Sequence, residues 1–364
     1  MSVLGVDGHR LTGSRSGVGR YVAELLREWV RMEPRFEEIV VFVPPDVDAA
    51  ALPPRHPYRV ETMSGTGGVA FHFGLARAAR GVDLLFCPSY AAPLSYRGPF
   101  VVTVHDALSA VMPPQPGLRQ RLRHRATARS AKRARRVITV SETSRVDIAR
   151  EYGVSLSKVT SVPNGVGAEF FVPPTPAQAE EVRARYALEG IPFCLFVGKF
   201  ARRRNLPVLA EAFVEARSRA DVPDVLLLVG ENSTGERLPE SAHVRTPGYV
   251  PEHDLHVLYH EAQAFVYPSS YEGFGLPVLE AMAAGTPVLT ARNSALVEVA
   301  GEAALLVDEP NRDQLAAALV TLLTDAALRE RLSELGRQRA RLFPWSRTAA
   351  ETMDVLSAVS SAAA

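Results

Sequence analysis

Cysteine is scarce in this chain, long apolar runs are absent, and neither sign of charge dominates. Two cysteines stand among 364 residues, Cys87 and Cys194, each inside a short apolar run (LLFC, FCLF). That usage excludes a disulfide scaffold and fits buried, reduced thiols. No Cys/His cluster has zinc spacing, so no metal centre or metal cofactor is expected. No stretch approaches the ~20 apolar residues that a membrane span needs. The opening MSVLGVDGHR carries charges where a signal peptide would have its apolar core. A soluble, cytoplasmic protein is the expectation. Lys and Arg total 41 against 40 Asp and Glu, a formal net charge of +1, which gives no global pull toward nucleic acid. Apolar residues at 47% and charged residues at 22% exclude a disordered chain.

What the chain does contain is a rhythm of short apolar runs. They lie at 3–6, 39–43, 58–62, 83–87, 101–105 and 137–140, and again at 193–198, 225–230, 264–267, 287–290 and 304–307. Several are nearly continuous Val, Leu, Ile or Phe, as strands buried on both faces require. Helical stretches at 20–32, 119–135, 206–218 and 314–324 fall between them. Strand–helix alternation implies parallel sheets with crossover helices, and the length exceeds what one core usually organises. The fold class is therefore α/β, with two Rossmann-like domains facing across a cleft. The Pro- and Gly-rich segment 162–181 separates them, giving domains at 1–170 and 171–345. Ligands of such sheets bind at the carboxyl ends of the strands.

The most informative stretch is 267–289, YPSSYEGFGLPVLEAMAAGTPVL, which reads as strand, Gly-rich turn, helix, turn, strand. Pro277 suits a first helical turn and Gly285 a helix end. Gly273 and Gly275 leave backbone N–H groups bare at the helix N-terminus, a ready anion site. Glu272 and Glu280 flank it, and a carboxylate accepts two hydroxyl hydrogen bonds, as sugar and ribose binding demand. Alone, that spacing reads as a turn carboxylate and a solvated helix carboxylate. The stretch GKFARRRN at 198–205 gives it more weight. Lys199, Arg202, Arg203 and Arg204 follow a strand end, with Asn205 placed to start the next helix, and such a cluster would clamp a diphosphate.

The first half carries Gly13, Gly17 and Gly19 between its first strand and an amphipathic helix. As a dinucleotide fingerprint this fails, because Val22 stands at the third glycine position. The glycines can still let backbone approach a phosphate. His105-Asp106 ends the run VVTVHD, where a histidine either bonds a sugar or leaving phosphate or serves as a structural cap.

Taken in order, GVGRY, HD, VSETS, VPNGV, GKFARRRN, GYVPEHDLHVLY and YEGFGLPVLEAMAAGTPVL resemble glycosyltransferase family 4, of the GT-B fold. The resemblance covers nearly the whole length and implies retaining hexose transfer from a sugar nucleotide, GDP- or UDP-linked, without a required metal. It assigns the ribose hydroxyls to Glu280 and hydroxyls of the donor sugar to Glu272. The backbone from Phe274 through Gly275, Leu276 and Pro277 to Val278 would meet the sugar and phosphates. Lys199 and Arg204, with Arg203 beside them, would hold the diphosphate. Gly17 would approach it from the first domain, His105 would contact the sugar, and Tyr249 and Val250 would line the base pocket. The last helix, in 346–364, would cross back to the first domain. Three departures stand out: Arg204 replaces the family's usual Lys, Lys199 occupies a variable position, and Gly167 replaces a common Asp. The acceptor implied is a hydroxyl of a small molecule, a lipid-linked glycan or a polysaccharide, in a bacterial mannosyltransferase-like pathway.

Weaker signals are read conservatively. Residues 119–136 carry nine Lys or Arg and no acid, which suits a solvated helix face or a peripheral membrane contact. Asp46 and Asp48 sit in a Pro-rich loop and lack the acidic support of a metal motif. His253, His256 and His260 have no zinc-enzyme spacing and are expected on a surface helix. A same-fold epimerase or hydrolase and a non-catalytic sugar-nucleotide module are the rival readings.

Overall fold

A computed structural model describes residues 2–11, 17–47, 52, 57–63, 68–112 and 117–362. Gly13 and Asp48, singled out above, lie outside them. The chain divides into two compact units, Met1–Gly165 with Trp345–Ala364, and Val166–Pro344.

The first unit runs β1 (Val3–Asp7), α1 (Gly17–Trp29), β2 (Glu38–Val43), β3 (Tyr58–Thr62), α2 (Gly68–Ala78), β4 (Leu84–Cys87), β5 (Phe100–Thr103), α3 (Leu108–Val111), α4 (Leu118–Arg133), β6 (Arg136–Thr139), α5 (Glu142–Tyr152) and β7 (Val159–Ser161). Among the described residues its strands form one parallel sheet in the order β3-β2-β1-β4-β5-β6-β7. The wholly buried β4 (LLFC) and β5 (FVVT) are the continuous apolar runs that a sheet covered on both faces needs. The edge strand β3 is exposed and charged instead. Arg59 bonds Glu38 at 2.7 Å and Glu61 at 3.0 Å, which blunts the edge.

Gly17 and Gly19, expected in a loop, lie in the first turn of α1. The helix keeps its amphipathic stripe, burying Tyr21, Val22, Leu25, Leu26 and Trp29.

The second unit runs α6 (Pro176–Arg185), β8 (Phe193–Val197), α7 (Leu206–Arg219), β9 (Val225–Val229), β10 (Val244–Gly248), α8 (Glu252–Glu261), β11 (Ala264–Tyr267), α9 (Leu276–Ala284), β12 (Val288–Ala291), α10 (Ser294–Ala300), β13 (Ala304–Val307), α11 (Arg312–Thr324) and α12 (Ala326–Ala340). Its strands, among the described residues, pair in parallel in the order β10-β9-β8-β11-β12-β13. Thr175 and Gln178 close a capping box at the start of α6. The last helix, α13 (Trp345–Ser361), belongs to the first unit and packs on α1. Trp29 donates its indole N–H to the Ala349 carbonyl at 2.9 Å, and Thr348 donates to the Pro163 carbonyl at 2.7 Å. The seam therefore has directional bonds as well as buried Ala349, Met353 and Leu356.

Strands β7 and β10 have no apolar run to announce them, since VTS and VRTPG are polar and lie at sheet edges. Cys87 and Cys194 are free and buried in β4 and β8. Burial pushes the Cys194 thiol up to about 12 and the Cys87 thiol well above its usual range, so neither is a thiolate near neutral pH. No helix among the described residues is long and apolar enough to cross a membrane.

Candidate active site

Each sheet reverses its strand order once, between β1 and β4 in the first unit and between β8 and β11 in the second. Such switch points open a crevice at the carboxyl ends of the strands, because the flanking crossovers leave in opposite directions. In the second unit the two loops that bound the crevice are 198–205, after β8, and 268–275, after β11.

These loops are tied together by polar bonds. Ser270 N–H donates to the Arg203 carbonyl at 2.7 Å. Asn205 does not cap α7 with its side chain, as its position had suggested. It adopts a left-handed conformation (φ 53°) and turns its amide onto the Pro268 carbonyl and the Ser270 hydroxyl, both at 2.8 Å. Asn tolerates that backbone region better than most residues.

Glu272 is where the bonds converge. Its Oε1 accepts from the Ser269 hydroxyl at 2.9 Å and the Tyr267 phenol at 3.1 Å. Its Oε2 accepts from Arg203 Nη2 at 3.2 Å, and Arg204 Nε stands 3.5 Å from Oε1. The backbone N–H of Glu272 donates to Ser294 Oγ at 3.0 Å. With 8% of its surface exposed, this is no solvated turn carboxylate. Burial raises the Tyr267 phenol far above its usual value, so that hydroxyl stays a neutral donor.

Arg204 lies along aromatic faces, 5.3 Å from the Tyr267 ring centroid and 5.8 Å from that of Phe196. Those two rings stack at 5.4 Å. Its buried Nη1 has no hydrogen-bond partner, and neither has the buried Nε of Arg203. Two half-buried guanidiniums, each with a buried unsatisfied donor, beside one carboxylate favour an anion at this place. Gly198 makes room for Arg204. Its φ of 153° is a region only glycine enters readily, and an added Cβ would land on the Arg204 guanidinium. We expect Gly198→Ala to lower stability by about 2 kcal/mol through backbone strain and displacement of Arg204. A thermal melt within 1 °C of the parent protein would contradict this.

Glu280 stands on α9, the helix that begins one residue after Gly275. Gly275 has φ 108°, and a Cβ there would lie 2.8 Å from Leu296, so glycine alone fits. Pro277 occupies the first turn and Gly285 ends the helix in a left-handed cap. Leu276 and Pro277 are half-buried, while Val278 and Phe274 are buried, the latter edge-on to Phe343. Glu280 is 5% exposed and accepts a hydrogen bond from the Tyr259 hydroxyl at 2.8 Å. The solvated reading fails for both glutamates.

Not every expected residue joins this cluster. Lys199 is exposed, its side chain 72% accessible, with Glu231 at 3.7 Å as its ion-pair partner. Tyr249 is 80% exposed, whereas Val250 is buried. Gly17 and His105 belong to the first unit. His105, two residues beyond β5, is buried and donates Nε2–H to the Pro88 carbonyl at 2.9 Å. Burial lowers its pKa, so the neutral ring keeps a lone pair on Nδ1. The neighbouring Asp106 accepts from the Tyr90 hydroxyl at 2.9 Å, and Tyr90 holds a left-handed φ of 63° in the bend after β4. Non-glycine strain of this kind collects at ligand sites. Tyr267, Ser269 and Tyr259 lie in or beside stretches that the sequence singled out, and Ser294 lies outside them, but none of the four was expected at the site. Only folding brings them to the two carboxylates.

Elsewhere in the first unit, Arg125, Arg129, Lys132 and Arg133 of α4 line a groove of about 660 Å³ with Arg150 and Glu151 of α5, which pair with each other at 2.8 Å. Among the described residues no group of three or more His, Cys, Asp or Glu is arranged to hold a metal.

The folds and the crevice define a two-domain α/β protein of the GT-B type, with an anion-seeking, carboxylate-lined site in its second unit. Residues 178–339 match the family described as glycosyl transferases group 1, and residues 15–170 match glycosyltransferase family 4. The chain belongs to glycosyltransferase family 4 and is a glycosyltransferase. It is 32% identical to O-antigen chain mannosyltransferase B of Escherichia coli over 70% of this chain and 69% of that one. It is 34% identical to the MMP alpha-(1->4)-mannosyltransferase of Mycolicibacterium hassiacum over 62% of this chain, spanning 55% of that protein. In fold it is similar to HepE of Anabaena, solved with UDP and glucose, at a TM-score of 0.77 and 17% identity over 98% of this chain and 100% of that one.

Proposed function

We propose that the protein transfers a hexose from a nucleoside-diphosphate sugar to a hydroxyl acceptor with retention of anomeric configuration. The observation that carries this reading is the switch-point cluster. Buried Glu272 faces two half-buried arginines that each hold a buried, unsatisfied donor, and Glu280 stands on the helix that follows the same loop. The arginines would take the diphosphate and stabilise the charge that develops on it as the sugar departs. Glu272 would hold sugar hydroxyls and Glu280 the ribose, with the backbone of 274–278 meeting the phosphates. The mannosyltransferase relatives support a hexosyl group and the UDP-bound neighbour a nucleoside-diphosphate carrier, which is proposed to be GDP- or UDP-linked. With cations of the chain itself on the phosphates, the reading requires no metal. Deprotonation of the acceptor by the leaving phosphate on the same face is the favoured route.

The acceptor is a small-molecule, lipid-linked or glycan hydroxyl. The cationic groove of α4 and α5 supports a peripheral contact with anionic membrane. Its low content of large apolar residues argues against a wedge that enters the bilayer.

Thermal melts with UDP, GDP, ADP and dTDP in the presence of EDTA test the donor site. A ligand that binds only the folded state raises the melting temperature by mass action, about 2.7 kcal/mol at a hundred times its Kd. One nucleotide is expected to shift the parent protein by several degrees and Glu280→Ala by much less. Absence of any shift from all four would sink the donor-site reading.

A further inference from the structure

We infer that the bend after β4 in the first unit is a phosphoryl site, where Arg10 and Arg123 hold a phosphate group carried by the acceptor. The inference deepens the proposed function by naming the chemical class of the acceptor, and it rests on the first unit taking that acceptor.

The bend lies where the first sheet reverses its strand order, at the carboxyl ends of its strands. Two exposed arginines from distant parts of the chain are anchored on consecutive residues of it. Arg10, three residues beyond β1, donates Nε–H to the hydroxyl of buried Ser89 at 3.2 Å. Arg123 of α4 stands over the ring of Tyr90, 5.1 Å from its centroid. Tyr90 carries the left-handed φ of 63°, and its ring meets that of buried His105 at 5.4 Å. Burial lowers the pKa of His105 and the charge of Arg10 adds to the effect, so this arginine also stands close to the histidine. Asp106 does not neutralise either cation, since its oxygens accept from the Tyr90 hydroxyl at 2.9 Å and the Leu108 N–H at 3.0 Å. Among the described residues neither arginine has a carboxylate within ion-pair reach, and neither uses a terminal guanidinium nitrogen in a hydrogen bond. Other arginines of the same unit are spent on neighbours, Arg27 on Glu24, Arg31 on Glu28 and Arg145 on Glu142. Holding a long side chain against a hydroxyl or a ring costs rotamer freedom, which a ligand for the charge would offset. A phosphate ester offers three acceptor oxygens and close to two negative charges, which suits two planar forks better than a single carboxylate does.

The test titrates the full chain calorimetrically with inorganic phosphate, glucose and glucose 6-phosphate, after UDP or GDP has filled the donor site. The parent protein is expected to bind phosphate and glucose 6-phosphate, with glucose weaker by about tenfold or more. Arg10→Gln and Arg123→Gln are each expected to weaken both phosphate probes about tenfold, the scale of one lost hydrogen bond between charged groups, while nucleotide affinity is retained. Retained nucleotide binding and an unchanged melting temperature report that the variants are folded. Equal losses for phosphate and nucleotide would assign the arginines to the donor diphosphate and overturn the inference. Unchanged phosphate affinity in both variants would overturn it as well, as would loss of the phosphate probes in Arg204→Met alone, which would put them in the donor site. Co-sedimentation with phosphatidylcholine vesicles, with and without phosphatidic acid, separates a lipid-borne phosphate from a soluble one. Vesicle binding that needs phosphatidic acid and both arginines, with no binding of the soluble probes, would support the site and assign its phosphate to a lipid. Failure of the parent to bind any of these phosphates would overturn the inference. If no nucleotide binds the parent, the donor reading fails by itself, and the same variants then judge the phosphoryl site on the unfilled chain.

Discussion

Glu272→Ala is expected to lower turnover about a thousandfold at saturating donor, the upper range for removing one preorganised electrostatic contact from an active site. The effect is large because the carboxylate does two things at once. It would hold donor-sugar hydroxyls, and it is the partner against which Arg203, Arg204, Tyr267 and Ser269 are arranged. Without it, two half-buried guanidiniums stand side by side with no anion between them, a like-charge contact that solvent screens only in part. They would move, and the diphosphate cradle with them. Glu272→Gln keeps the volume but offers an amide N–H₂ toward groups that already donate, so it should fail nearly as badly. Turnover by either variant within tenfold of the parent enzyme would remove Glu272 from the site.

Arg204→Met is expected to cost about a hundredfold in turnover while leaving the fold intact. Methionine keeps an apolar stem against the Phe196 and Tyr267 rings, so the stacking surface survives and only the charge is lost. The buried Nη1 that has no partner disappears as well, which removes a desolvation cost from the unliganded protein. A melting temperature equal to or above the parent's, together with low turnover, would separate catalysis from stability. Arg204→Lys restores a point charge without the planar fork, and turnover within about tenfold of the parent is expected. If Met and Lys variants were equally active, charge at this position would play no part in the chemistry.

Much of the fold was legible in the chain itself. The runs LLFC, VLLLV and AFVY announce strands because a sheet covered on both faces leaves no solvent side for alternating polar residues. Gly275, Pro277 and Gly285 announce α9 because each meets a backbone demand of a helix end that other residues meet poorly. Glu272, Glu280 and the arginines stood out by kind and order. The silent elements were β7 and β10, edge strands whose few polar residues carry no apolar pattern. Gly17 and Gly19 read as a loop, yet the apolar stripe from Tyr21 to Trp29 draws them into α1.

The sequence by itself determined the class of fold, the family and the types of residue at the site, because strand burial, helix ends and motif order are local properties. Tertiary structure decided which of those residues act together. Lys199 and Arg204 lie five positions apart and read alike, but the chain leaves one in solvent and lays the other under Tyr267 beside Glu272. Tyr259 reaches Glu280 and Ser294 reaches Glu272 across 21 and 22 residues. Desolvation, ring stacking and hydrogen bonds over such separations exist only after parallel strands have brought distant loops to one sheet edge, and no local pattern encodes them.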